Sequence, residues 1–309
     1  MLTLEKKMEE QRKYRDLIIR NADFESIPRG LVLSYIGARI CYWDGHPLDL
    51  VKEGGGKGVS EFLLKLKKVG HYSVFAHTPV VVDISRLVVE EKYNVAKTYF
   101  KVFFDDGSGK ALFNLRHFAE VMSDEEFERL ISVGLDLGGV NVLVFGRRGG
   151  QWEKVIEGSL DSVYCDWAGF EREIIILKGK DDRFGWMSVI AYNFSRIFSH
   201  QFVRHTWLNF NQRSHRYTKV DSFIIPDCFD EEDRKIYESF CNIGLTLYSV
   251  WGKRIKKEWA RFVIPQGVAT TVMASGPRFV WDDFIEKRNT SKAQGEIREL
   301  AEVVNGIIK

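Results

Sequence analysis

The stretch that most limits how this chain can fold runs from Trp186 to Tyr217. Trp186 to Phe202 is an apolar run in which Phe194, Ile197 and Phe198 share a face on a 3.6-residue period, so the spacing predicts a helix over 186–202. Gln201, Arg204 and His205 continue that face one turn later. A helix that packs on a core normally keeps its inward stripe apolar to the end. Here the stripe changes to an amide, a guanidinium and an imidazole. Arginine cannot shed its charge, so a buried one needs an anionic partner. Ser214 and Arg216 then add a hydroxyl and a second fork of donors, ten and twelve residues after Arg204. The set suits a phosphate carrying a polar heterocycle. The alternative is a basic helix end satisfied by its own carbonyls or by acidic side chains.

Composition removes several function classes. The chain has 309 residues, room for one large or two small domains, and its 45% hydrophobic and 13% aromatic content supports a real core. Its 45 Lys and Arg nearly balance 43 Asp and Glu, so bulk charge does not mark a nucleic-acid binder and any basic site must be local. Cys41, Cys165, Cys228 and Cys241 are scattered without a CxxC pair, which argues against a structural zinc and against a disulfide framework, and no metal site is expected. Met1 to Arg20 is charged throughout, and no run of 18 apolar residues occurs elsewhere. Neither a secretion signal nor a membrane span is expected, and a cytoplasmic, reducing setting is.

The segment 2–20 reads as a surface or partner-binding helix, and Leu31 to Tyr42 as a strand or short helix. Gly54-Gly-Gly-Lys-Gly58 lacks the Gly-Lys-Ser/Thr order and a preceding strand, so a flexible loop is expected rather than a phosphate loop. Ser60 to Val69 is amphipathic and stops at Gly70, the usual C′ position. Gly70 to Thr78, with His71 and His77, leads into a strand over Val80 to Ile84. Asp105 to Gly109 is a hairpin turn between strand-like segments, and Ser123-Asp-Glu-Glu126 is a capping box. Val140 to Phe145 and Glu173 to Leu177 read as strands. Arg147, Arg148 and Lys154 near them read as a solvated surface. Asp230 caps a helix to about Trp259, with Ile236, Phe240, Ile243, Leu247, Trp251 and Ile255 on its buried side.

Four motifs, in order, resemble the flavin-dependent thymidylate synthases. Arg204-His205-Thr206, seven residues, then Ser214-His-Arg216-Tyr217 resembles that family's signature, which has Arg as its third residue. Gly70-His-Tyr-Ser73-Val-Phe-Ala-His77 resembles an N-terminal element in which Ala76 stands for a Glu. Ala260-Arg261-Phe-Val-Ile-Pro265 and the stretch from Arg288 through Ala293-Gln294 to Leu300-Ala301 resemble two C-terminal elements, with Arg288 27 residues after Arg261. The resemblance covers about 31–84 and 186–305.

The resemblance implies an α+β fold, a sheet packed by long helices, in a homotetramer. The core is expected over 1–85 and 185–309, with 86–184 as an inserted α+β subdomain; the alternative is that the insert is the core sheet's own edge. The implied reaction is reductive methylation of deoxyuridine monophosphate (dUMP) to dTMP, with methylenetetrahydrofolate, FAD and NADPH. Substrate contacts map onto Gln201, Arg204, Ser214, Arg216, Arg261 and Arg288, with Arg288 at the ring as the catalytic group. Flavin contacts map onto Ser73, Arg204, His205, Thr206 and Gln212, but Thr206, Lys292 and Ser275 to Phe279 depart from the family pattern. Two further readings follow from those departures. One is a non-catalytic or altered-cofactor paralogue that binds a uridine-type nucleotide without FAD. The other is a methyltransferase with Cys228 as nucleophile, disfavoured because acidic neighbours raise a thiol pKa.

Overall fold

The computed structural model describes residues 4–23, 27–53, 58–132, 139–160, 169–179 and 184–308. Most of the Gly54 to Gly58 loop and Cys165 lie outside these. Backbone contacts divide the chain into two units. The first is 1–36 with 53–140; the second is 37–52 with 141–309.

The first unit holds α1 (Leu4–Asn21), β1 (Ala22–Asp23) and most of α2 (Ile27–Ile40), so Leu31 to Tyr42 is helical for most of its length. After α3 (Pro47–Glu53) come α4 (Val59–Lys68), β2 (Pro79–Asp83), α5 (Val89–Thr98), β3 (Phe103–Asp105), β4 (Lys110–Asn114), α6 (Leu115–Val121) and α7 (Asp124–Ile131). Its sheet has the order β1-β2-β4-β3, all antiparallel. The expected local signals are present. Gly70 ends α4 with φ +74°, and Ser123 caps α7 by accepting from the Glu126 N–H at 3.1 Å. Phe75 and Phe127 meet edge-to-face at 5.2 Å in this unit's core.

The second unit is built on β5 (Val140–Arg148), β6 (Gln151–Ser159), β7 (Arg172–Gly179), β8 (Met187–Ser195), β9 (Asn209–Gln212) and β10 (Ala269–Gly276), in the order β6-β5-β7-β8-β10-β9. The self-contained subdomain expected at 86–184 is therefore divided. Its first half pairs with β2 through β4, while β5, β6 and β7 extend the sheet that carries β8. The physical reason is that Ile174, Ile175 and Ile176 are fully buried, as a central strand requires. Arg147, expected on a solvated surface, is 4% exposed and pairs with Glu171 and Asp227.

The helix expected over 186–202 is a strand followed by a helix. Met187 to Ser195 forms β8, and only Arg196–Phe202 is helical (α8), with the Ser195 hydroxyl capping it from the Phe198 N–H at 3.0 Å. A short apolar run buried on both faces has no period that tells strand from helix. Phe194, Phe198 and Phe202 pack with Trp281 and Phe284 of α11 (Arg278–Arg288), beside α12 (Gly295–Ile308). Ile197, placed on the buried face by the helical period, is 44% exposed.

Asp230 caps α9 (Glu231–Trp251) through the Glu232 and Asp233 N–H groups at 2.9 Å, as expected. The helix ends at Trp251, and a short α10 (Lys257–Ala260) follows. Its packed face is the opposite of the one expected. Cys241, Gly244 and Tyr248 are buried, while Ile236, Phe240 and Ile243 are 63%, 60% and 61% exposed. Gly244 sets this geometry, because a β-carbon there would lie 2.7 Å from the Val263 carbonyl oxygen. Leu247, Trp251 and Ile255 are also exposed.

Candidate functional site

A cleft of about 480 Å³ opens in the second unit, where the start of α8, the end of β9 and the turn Arg261–Val263 converge. Arg196, His200, Gln212, Arg213, Ser214, His215 and Arg261 supply its polar lining. Arg196, Arg213 and Ser214 are each placed by a backbone hydrogen bond. The Arg196 N–H donates to the Val268 carbonyl at 3.0 Å as the strand turns into α8. The Arg213 N–H donates to the Thr271 carbonyl at 2.9 Å, extending the pairing of β9 with β10. The Ser214 N–H donates to the Cys41 carbonyl at 3.0 Å, and the Ser214 carbonyl accepts from Tyr217 and Thr218 in a tight turn.

The electrostatics are those of an anion site. Arg213 is anchored by Asp44 at 2.9 Å and by the Lys219 carbonyl at 2.7 Å. Arg196 and Arg261 have no carboxylate partner among the described residues. Burial, and then the nearby Arg261, push the Arg196 guanidinium below its ordinary range. The His215 imidazole is pushed down to about 4, first by burial and then by Arg196 and Arg213. His200 is shifted the same way by burial, Arg196 and Arg204. Several cations that depress one another favour a ligand with negative charge.

The expected site residues fall into separate groups. Gln212, Ser214 and Arg261 line the cleft. Gln201, Arg204, His205, Thr206, Arg216 and Arg288 do not line it. Arg288 donates from Nε to His205 Nε2 at 2.8 Å, and the His205 ring packs edge-on to Phe284 at 4.9 Å. Burial, then Arg288, push His205 down to about 4. Arg204 and Thr206 are exposed in the turn after α8. Arg216 is exposed, lies over the Tyr217 ring at 5.1 Å and donates to its hydroxyl at 2.7 Å. Ser73 belongs to the first unit, in an exposed position of the turn Tyr72–His77. Cys228 is exposed and outside the cleft lining. The described residues contain no helix long and apolar enough to cross a membrane.

The model of the thymidylate synthase complementing protein family matches residues 187–309, the span that contains the cleft. Over residues 187–309 the chain is similar to this family. The flavin-dependent thymidylate synthase of Pyrococcus furiosus is 32% identical to this chain over 117 residues, 35% of this chain and 48% of that protein. The Sulfolobus acidocaldarius flavin-dependent thymidylate synthase is 32% identical over 130 residues, 38% of this chain and 50% of its own length. The chain thus spans about half the length of the curated relatives it matches. A crystal structure of the Helicobacter pylori flavin-dependent thymidylate synthase, complexed with FAD and dUMP, aligns at 19% identity with a TM-score of 0.32. That alignment covers 38% of this chain and 65% of that one.

Four cleft residues are not among the positions matched to the family: Arg196 and His200, which lie outside its motifs, and Arg213 and His215, which fall on unspecified positions within one. Arg196 and His200 stand one turn apart on α8, a spacing that shows only once the helix start at Arg196 is known. Arg213 and His215 flank Ser214, where a motif with unspecified positions draws no attention to them.

Proposed function

We propose that this thymidylate synthase complementing family chain binds dUMP with its phosphate in the Ser214–Arg261 cleft and methylates the uracil ring. The reaction is the one its family resemblance implies, in which methylenetetrahydrofolate would supply the carbon and FAD, reduced by NADPH, would supply the hydride. The observation that carries the reading is the meeting of Ser214 and Arg261 with Arg196 and Arg213 in one cleft. A phosphate dianion offsets that charge and accepts bidentate or charge-assisted hydrogen bonds from it. Arg288 is assigned to the ring, where a guanidinium stabilises the negative charge that develops on activation.

Gln201, Arg204 and Arg288 lie outside the cleft lining, so a second copy of the chain is the proposed source of that half of the site. The exposed stripe Ile236, Phe240, Ile243 and Leu247 on α9 supports self-association, since soluble chains seldom leave such a row uncovered. Sedimentation that returned only a monomer would remove this part of the proposal.

The flavin positions fit less well. Among them only Arg204 carries a permanent cation, Thr206 brings a hydroxyl, and His205 is already engaged by Arg288. Arg278, in the stretch that departs from the family pattern, is tied to Asp282 at 3.0 Å. This set does not by itself match a pyrophosphate with two negative charges. It favours, as the second reading, a paralogue that binds a uridine-type nucleotide without FAD. Formation of dTMP from dUMP and methylenetetrahydrofolate, assayed with and without FAD and NADPH, separates the two. FAD-dependent product supports the enzyme; nucleotide binding with no product under either condition supports the paralogue.

A further inference from the structure

We propose that His215 is the proton-accepting contact of the cleft, so that binding a phosphate monoester dianion and protonating this ring are one event. The inference rests on reading the cleft as a monophosphate site. His215 is 7% exposed, lines the cleft, and its Nε2 is buried with no hydrogen-bond partner. The Ala269 backbone acts on the ring as an acceptor that favours its protonated form, a role that falls to Nδ1 because Nε2 is unpartnered. Tyr248 fixes the same residue from behind by donating to its carbonyl at 3.0 Å. A buried, oriented imidazole with one free nitrogen is a recognition group that has no work to do inside the fold.

The groups that face the ring are cationic. Arg196 comes from α8, Arg213 from the end of β9, and Arg261 from the turn after α10. His200 lines the same cleft, and no carboxylate is in the lining. Without an anion, burial and these guanidinium groups hold the ring neutral. Its Nδ1–H is then spent on Ala269, and Nε2 presents a lone pair. A lone pair facing a phosphate oxygen repels it. A dianion removes the obstacle by cancelling the guanidinium field and offering an acceptor to Nε2–H. The complex therefore holds a proton on Nε2 that the free protein lacks. The proton comes from solvent, and no bond between heavy atoms changes.

The test is calorimetric titration of dUMP into the full chain near pH 6.5, in two buffers of different ionisation enthalpy, on wild type and His215→Gln. Glutamine cannot titrate, so the variant reports the proton change of dUMP itself. The wild type should take up at least about half a proton more than the variant, the share of a ring restored to an ordinary histidine pKa. Equal proton counts with both proteins binding dUMP would overturn the inference and leave the nucleotide reading standing. If the variant does not fold, 15N spectra of the histidine side chains in wild type decide. One ring should pass from the neutral to the protonated pattern on adding dUMP, and all rings unchanged would overturn the inference. Binding of inorganic phosphate with the same excess uptake, but no binding of dUMP, would sink the nucleotide reading and support His215. Failure of both ligands to bind would sink both.

Discussion

Arg288 donates from Nε to Nε2 of His205 at 2.8 Å, across 83 residues of sequence. The bond requires a neutral His205 with its proton on the other nitrogen, and burial beside Phe284 keeps it neutral. The guanidinium is thereby held by one edge, with its terminal nitrogens left for a ligand. Arg288→Ala should weaken dUMP binding by about 1.5–3 kcal/mol, the cost of a charge-assisted contact. His205→Ala should weaken it less, because His205 acts only through the aim of Arg288. Calorimetric titration of both variants checks the order, and a larger loss for His205→Ala would reverse the assignment.

Acid should destabilise the fold earlier than carboxylate titration alone. His117, His205 and His215 are each pushed down to about 4, with burial the largest cause in every case. Unfolded histidines bind protons near pH 6.5, so between that value and about 4 the unfolded chain binds more protons than the folded one. Their contribution is complete above about pH 6.5 and is lost as pH falls towards 4. Each is worth at most about 3 kcal/mol across that window. The guanidinium chloride midpoint should fall clearly between pH 7.5 and pH 5, and an unchanged midpoint would contradict the assignment of three neutral buried rings.

Removing residues 140–183 should abolish soluble protein. The deletion takes away β5, β6 and β7, leaving β8 with a bare edge and an uncovered apolar face. Exposed hydrophobic edges of this kind aggregate. A soluble, monodisperse deletion variant would show that these strands are dispensable to the second sheet.

The sequence was legible where chemistry is local. Ser123 and Asp230 announce helix starts because a short oxygen side chain before an apolar period has one common use. Ser214 and Arg261 were legible through motif spacing, and the cleft joins them. Three features were not legible, for different reasons. Met187 to Ser195 is buried on both faces, so its strand period is erased. On α9 the apolar stripe was visible, but burial depends on what covers it. Within one chain Gly244 and Tyr248 take the packed side instead. Arg196 and His215 enter the site only through the turn from β8 into α8 and the extension of β9, which no spacing encodes.

Thr206→Arg should raise FAD affinity. The substitution restores a guanidinium in an exposed turn, beside Arg204, where the resemblance places a charge against the cofactor. One charge-assisted contact of about 1.5–3 kcal/mol corresponds to roughly ten- to hundredfold in affinity. Flavin fluorescence titration of the variant against wild type measures it. Equal affinities would mean that other donors already hold the pyrophosphate or that FAD binds elsewhere.

The central claim is that Ser214, Arg261 and their neighbours form a phosphate site for a nucleotide. It is tested most directly by titrating the wild-type chain with dUMP and with deoxyuridine, and repeating the dUMP titration on Arg261→Ala. The account predicts that the nucleoside binds at least about a hundredfold more weakly than the monophosphate, as expected for the loss of several charge-assisted contacts. It also predicts that Arg261→Ala removes much of that difference. Equal affinity for dUMP and deoxyuridine in the wild type would contradict it.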